Sequence, residues 1–477
     1  MKAATLGFIL CAVIALGAPV RGFAQAPAAA PTPTVEQRLS AVETYIAKSD
    51  SRAGGTAGAI LAPDPANNGF LMLASALVLF MTLPGLALSY AGLARRKNVL
   101  SILAQTFGIA GVATILWWAV GYSLVFAPGK PWLGGLQYAW LNHVGPAPNT
   151  DYSSGVSHST FCMFELMFSI ITPAIIIGAT AERMRFAAVM WFTTLWLFLV
   201  YYPVAHMMWG VDGGMNGLNN PNAIIKAIDF AGGTVVHMTS GWSSLILCIM
   251  LGRRAGYPKE RMAPHSIVLC MVGTCILWVG WYGFNCGSAF AADGIASNAF
   301  LTTTLSAAVG SAAWAFAEYI STKKSSVLGF CSGAIGGLVI MSPNCGYISA
   351  TSAVILGLIG GIFPYFVVVK LKPILGYDDA LDAFGVHAIS GTIGVLAAGF
   401  LAKTEINPHL NAHLSALVGH TLWLEQIEAI LVVMLISIVG TFVAGFIVRI
   451  FVGMRPNREQ ESIGLDLVEH GEEGYIL

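Results

Sequence analysis

Eleven stretches of this chain are apolar for long enough to cross a lipid bilayer, near residues 69–94, 100–127, 159–181, 186–209, 229–252, 266–290, 298–321, 328–345, 350–370, 381–402 and 425–451. A hydrocarbon core about 30 Å thick takes roughly 20 helical residues to span. Inside it each backbone N–H and C=O must find a partner within the protein, which leaves helices or closed barrels. Runs of this length without strict alternation are helices. An all-α polytopic membrane protein with 11 transmembrane helices is therefore expected. Composition agrees: 10% of the residues are charged, against about 25% in a soluble domain.

The basic residues orient the bundle. With the N-terminus outside, the inner segments hold 16 Lys and Arg, from Arg95 to Arg458. The outer loops beyond residue 94 hold only Lys130, Lys226 and Lys403. Positive charge stays on the cytoplasmic side, so the topology reads N-out/C-in. A formal net charge of zero offers no basic bulk for nucleic acid. Residues 1–24, with one early lysine, a short apolar run and small residues, read as a signal peptide cleaved near 24–26. Residues 25–67 form an extracytoplasmic extension. In it Thr34 and Gln37 make a capping box, and Val35, Leu39, Val42 and Ile46 follow a helical spacing. That short amphipathic helix, marginal alone, either helps three subunits associate or lies solvated or on the membrane. A membrane domain over 68–452 and a cytoplasmic tail over 453–477 complete the chain.

Two stretches carry the chemistry, "DFAGGTVVH" at 229–237 and "DALDAFGVH" at 379–387. Asp229 and Asp379, His237 and His387, and Gly241 and Gly391 are each 150 residues apart, a D-x7-H-x3-G pattern written twice. Five helices separate the copies, so the second enters upside down: an inverted 5+5 repeat plus one extra helix. With helix five starting near Asp229 and helix ten near Asp379 or Asp382, each histidine lies roughly 12 Å inside its own face. Both reach the midplane, where ionisable groups are costly and mark function. The aspartates either act as acids or cap their helices. Gly329, Gly333 and Gly337, and then Ala353, Gly357 and Gly361, are ridges that let helices touch. The seven cysteines beyond Cys11 read as core residues. No CxxC, HExxH, Walker A or GxGxxG occurs, so no metal, cofactor or enzymatic role is expected.

The two histidine stretches resemble those of the ammonium transporter family (Amt/Mep/Rh), closely its bacterial Amt branch. "LSYAGLARRKNVLS", "GATAERMRF", "AHMMWG", "WYGFNCGSA", "CSGAIGGLV" and the tail "MRPNREQESIGLDLVEHGEEGY" carry the likeness across roughly 68–477. The resemblance implies a homotrimer in a bacterial inner membrane, with one narrow pore per subunit. Its substrate would be ammonium or ammonia, with methylammonium an open alternative. By motif, Trp209, Ser288 and Phe164 would form an outer recruitment site, and Phe168 and Phe284 a stacked phenyl gate. His237 and His387 would be the pore and proton relay, with Asp229 a supporting acid. Glu165 either adds negative charge to recruitment or is held in the wall by hydrogen bonds.

The residue types suit that task. An aromatic face attracts a small cation by about 0.5–2 kcal/mol. A dry pore rejects an ion that cannot shed its charge, and paired imidazoles can pass a proton. Electrogenic ammonium transport is the expected function. A passive, Rh-like ammonia channel and an ammonium sensor acting through a cytoplasmic partner are the alternatives. A P-II signalling protein is the partner the resemblance implies.

Overall fold

The computed structural model describes residues 34–36, 38–39 and 63–475. The signal peptide, most of the 25–67 extension and Gln37 of the capping box lie outside the described residues. The chain divides into two units, Met1–Gly58 and Ala59–Leu477. In the first, Val35, Glu36, Arg38 and Leu39 are helical.

The second unit is a helical bundle. Its spans are α1 (Pro65–Leu93), α2 (Arg96–Phe126), α3 (His158–Thr180), α4 (Phe186–Trp209), α5 (Gly233–Leu251) and α6 (Ile267–Gly287). They continue as α7 (Gly294–Thr322), α8 (Val327–Met341), α9 (Ala350–Leu375), α10 (Phe384–Leu401) and α11 (Leu422–Phe451). Among the described residues, ten are long and apolar enough to cross a membrane, and α8, at 15 residues, is shorter. Helices thus form at all eleven apolar runs. On α11, Leu431, Leu435, Val439, Phe442, Phe446 and Ile450 form one exposed stripe. A water-facing surface rarely leaves such a band uncovered; in lipid it is the expected face. The same reason corrects the reading of the cysteines. Cys275 on α6 is exposed, because an apolar thiol costs little beside acyl chains.

The small-residue ridges seat α7 against both α8 and α9. A Cβ on Gly333 or Gly361 would fall 2.4 Å from the Gly310 carbonyl oxygen, and one on Gly337 would meet Ser306. Ser306 also donates its hydroxyl to the Gly337 carbonyl at 2.7 Å.

The inverted repeat is visible bond by bond where α5 crosses α10. Asp229 Oδ1 accepts from the Gly233 N–H at 2.7 Å and Oδ2 from the Thr234 N–H at 2.8 Å. At the positions 150 further on, Asp379 accepts from Ala383 at 3.1 Å and Phe384 at 2.8 Å. A Cβ on Gly241 would lie 2.2 Å from the Ala388 nitrogen, while one on Gly391 would lie 2.9 Å from His237 Cβ and 3.3 Å from the Met238 nitrogen. The third member of the motif is therefore what lets the two helices cross beside the histidines. Gly241→Val should force backbone apart, costing about 1–3 kcal/mol or more. A lowered melting temperature of the purified full chain in detergent is the check.

Helix ten starts at Phe384, within two residues of Asp382, as expected, and helix five at Gly233, four residues past Asp229. Gly232 at φ 99° and Asp382 at φ 63° hold left-handed backbone just before them, conformations that Gly and Asp tolerate best. Each helix then opens on a wide π-type turn, Gly233–Met238 and Phe384–Ala388, that contains its histidine. Each histidine accordingly belongs to the first turns of a helix whose start is itself sunk in the bundle.

The end of the bundle that carries most basic residues is tied by ion pairs. Arg254 grips Asp378 at 2.8 Å and approaches Glu182 at 3.7 Å, and Arg95 reaches Glu182 at 2.5 Å. Burial alone would raise the Asp378 carboxyl, but the Arg254 bonds and the Arg183 charge hold it below the usual range. The tail docks on this end. Its short helix α12 (Arg458–Ile463) brings Glu461 to Arg455 at 2.6 Å. Asp466 accepts the Ser101 N–H at 2.8 Å and Asn98 accepts the Leu465 N–H at 2.9 Å.

Candidate functional site

A cavity of about 500 Å³ opens at the end of the bundle opposite the arginines, with Glu165, Phe168, Trp209, Asp229 and Ser288 in its wall. Trp209, the last residue of α4, is fixed there because its Nε1 donates to the Asp229 carbonyl at 3.2 Å. Ser288, just past α6, donates its hydroxyl to the Phe284 carbonyl at 2.9 Å, which turns its lone pairs away from the helix. Phe164 is fully buried and meets Phe168 edge-on, with centroids 5.0 Å apart, so it backs the cavity rather than lining it.

Below the cavity runs a column of rings. Phe168 lies 4.5 Å from Phe284, tilted by 35°. Phe284 lies 5.8 Å from His237, and His237 5.4 Å from His387. All four are nearly inaccessible, with 5% exposure at most. Their burial follows from the apolar helices packed around them. Beyond His387 a second cavity of about 250 Å³, lined by Arg254, Tyr257, Lys372 and Asp382 among others, opens toward the basic end. The rings therefore separate two cavities that lie on opposite sides of the histidine pair.

The histidines face each other with Nδ1 to Nδ1 at 3.3 Å. A hydrogen bond between two such nitrogens needs one proton and one lone pair, so the neutral rings must hold opposite tautomers at that edge. Ser342 is coupled to that choice. Its Oγ lies 3.1 Å from His237 Nε2, accepts from Trp281 Nε1 at 2.9 Å, and can donate to the Leu338 carbonyl at 3.2 Å. When the hydroxyl proton points to Leu338, His237 donates from Nε2 and His387 donates across the pair. When it points to His237, both bonds reverse. The pair thus has two settings related by moving protons along one chain. Ser342 and Trp281 escape a reading of the sequence, because nothing local in "MSPNCG" marks a partner 105 residues away.

Asp229 is spent on the backbone. Its two oxygens accept from the N–H groups of Gly232, Gly233, Thr234 and Val235, and from the Thr234 hydroxyl. Asp382 pairs with Lys372 at 2.6 Å, and Lys372 also donates to the Asp379 carbonyl at 2.6 Å. Burial pushes the Asp379 carboxyl up, with Lys372 opposing and Asp382 reinforcing. Glu165, 4% exposed, has no hydrogen bond or ion pair among the described residues.

Comparison with known proteins points to one family. The model of the Ammonium Transporter Family matches residues 69–475. The ammonium transporter of Bacillus subtilis is 44% identical over 406 residues, covering 85% of this chain and 97% of that protein. That of Mycobacterium tuberculosis is 38% identical over 438 residues, covering 87% of this chain and 91% of its own. The crystal structure of Mep2 from Candida albicans superposes with a TM-score of 0.75 at 32% identity, over 83% of this chain and 87% of that one. Since the match runs from the first membrane helix into the docked tail, the chain is a multi-pass membrane protein that belongs to the ammonium transporter family.

Proposed function

We propose that this protein carries out electrogenic ammonium uptake through the column of rings. The observation that carries the reading is the buried sequence of Phe168, Phe284, His237 and His387 between two cavities. In this reading the Trp209 cavity faces outward and the arginine-rich end faces the cytoplasm. Ammonium is taken at Trp209 and Ser288 and loses a proton there. Neutral ammonia passes the phenyl pair, while the proton follows the histidines, so the cycle moves net positive charge. Potassium has no proton to give and must enter dry as an ion, which costs many kcal/mol. Asp229 supports the site by holding the start of α5 and, through its carbonyl, the Trp209 indole.

The test is a current from vesicles on a supported membrane after an ammonium jump, with potassium as control. An ammonium-only current is expected. No current with rising luminal pH would indicate a passive ammonia channel, and silence in both would favour a sensor. Trp209→Leu should raise the half-saturating ammonium concentration by about 2- to 30-fold, the equivalent of a cation–π contact. If half-saturation holds while maximal current collapses, Trp209 is a packing residue. The reading also carries a homotrimer and a cytoplasmic P-II signalling partner on the arginine-rich face. Native mass measurement and co-purification with a P-II protein test those two in turn.

A further inference from the structure

Four carboxylates border the larger cavity, and they are not equivalent. Asp293 caps α7 through the Ile295 and Ala296 N–H groups at 2.9 and 3.0 Å. Asp151 is exposed. Asp229 has both oxygens filled by backbone, as described above. Glu165 alone is both buried and unpartnered among the described residues. It sits on α3 three residues before Phe168, so both side chains share one face of that helix, and both line the cavity with Trp209 and Ser288. His409, the one basic side chain in the same wall, is exposed and makes no ion pair with Glu165 among the described residues.

A carboxylate that keeps only the cavity side of its hydration and has no protein partner is costly, and the cost is recovered when a cation occupies the space before it. The geometry points to Glu165 as a direct carboxylate ligand for the incoming monovalent cation, in one site with the Trp209 ring and the Ser288 oxygen. This inference rests on the reading that ammonium enters through this cavity. The donor set fits that class. One carboxylate accepts charge-assisted N–H bonds from ammonium, an indole face adds attraction to a weakly hydrated cation, and the Ser288 lone pairs accept one more bond. Calcium needs six to eight oxygens, and magnesium an octahedron usually built with waters and phosphates. A single carboxylate and a hydroxyl beside apolar rings suit neither. Glu165 would therefore set affinity, while the rings below set which cations cross.

Two measurements on the full chain test this. In the first, half-saturation of the ammonium-evoked current is compared in wild type, Glu165→Gln and Glu165→Asp. The glutamine is isosteric and should fold, and it should raise half-saturation by about tenfold with maximal current within about twofold. Aspartate, which keeps the charge, should recover most of the affinity. In the second, equilibrium binding of thallium(I), an ammonium-sized cation with no proton to release, is measured on the purified protein. Binding should weaken by a similar factor in Glu165→Gln.

Unchanged half-saturation together with unchanged thallium binding overturns the inference. So does a fall in maximal current alone, which would make Glu165 a packing residue, and so does wild-type protein that binds no thallium. If wild type passes no ammonium current yet binds thallium in a Glu165-dependent way, the transport reading fails and the ligand assignment stands.

Discussion

On the proposed function, replacing either histidine of the buried pair with alanine is expected to end charge-coupled ammonium transport. The ammonium-evoked current of His237→Ala or His387→Ala should fall about tenfold or more, the equivalent of at least ~1.4 kcal/mol in the barrier. Selectivity over potassium should weaken in the same experiment. Both effects have one origin. The remaining imidazole loses its Nδ1 partner at 3.3 Å, and with it the hydrogen bond between the two rings. In His237→Ala, Ser342 also loses its bond to Nε2. The vacated volume lies between Phe284 and the second cavity, and water that enters it lowers the cost of placing an ion there. Unchanged current and unchanged selectivity, measured on the supported membrane with potassium as control, would sink the twin-histidine assignment.

The second large effect is structural in origin. Asp229→Ala should destabilise the full chain by on the order of 3 kcal/mol or more, since four buried backbone N–H groups and a hydroxyl lose their acceptor and each unmet group costs about 1–3 kcal/mol. Partial relaxation keeps the sum below simple addition. Asp229→Asn retains one acceptor oxygen and should fall between wild type and alanine. Thermal melting in detergent, read beside the ammonium current, separates two roles. Stability and current falling together identify a cap that holds α5 and Trp209. An asparagine variant that melts like wild type but carries no current would show that the negative charge itself acts on the substrate.

Much of this is legible in the sequence. Eleven apolar runs announce their helices because hydropathy is a local property and lipid imposes length. The D-x7-H-x3-G pair announces the crossing because an inverted repeat must bring equivalent positions together at its axis. The motifs that hold Trp209, Phe284 and Ser288 carry the family. Less legible were the helix starts, since left-handed Gly232 and Asp382 and the wide turns that follow leave no periodic signature. Phe164 stands one ring behind the cavity wall for a similar reason. Its facing is decided by how α3, buried along nearly its whole length, rotates among its neighbours.

The sequence by itself determined that the chain is a bundle of membrane-crossing helices, which copies repeat, and which family they belong to. Whereas the capping by Asp229 is made with its own chain neighbours, only the tertiary structure decided that Ser342 joins the histidine pair and that Glu165 faces the cavity unpaired. Those are questions of partnership, and a hydrogen-bond partner is chosen where helices 100 residues apart touch, not by the neighbours along the chain.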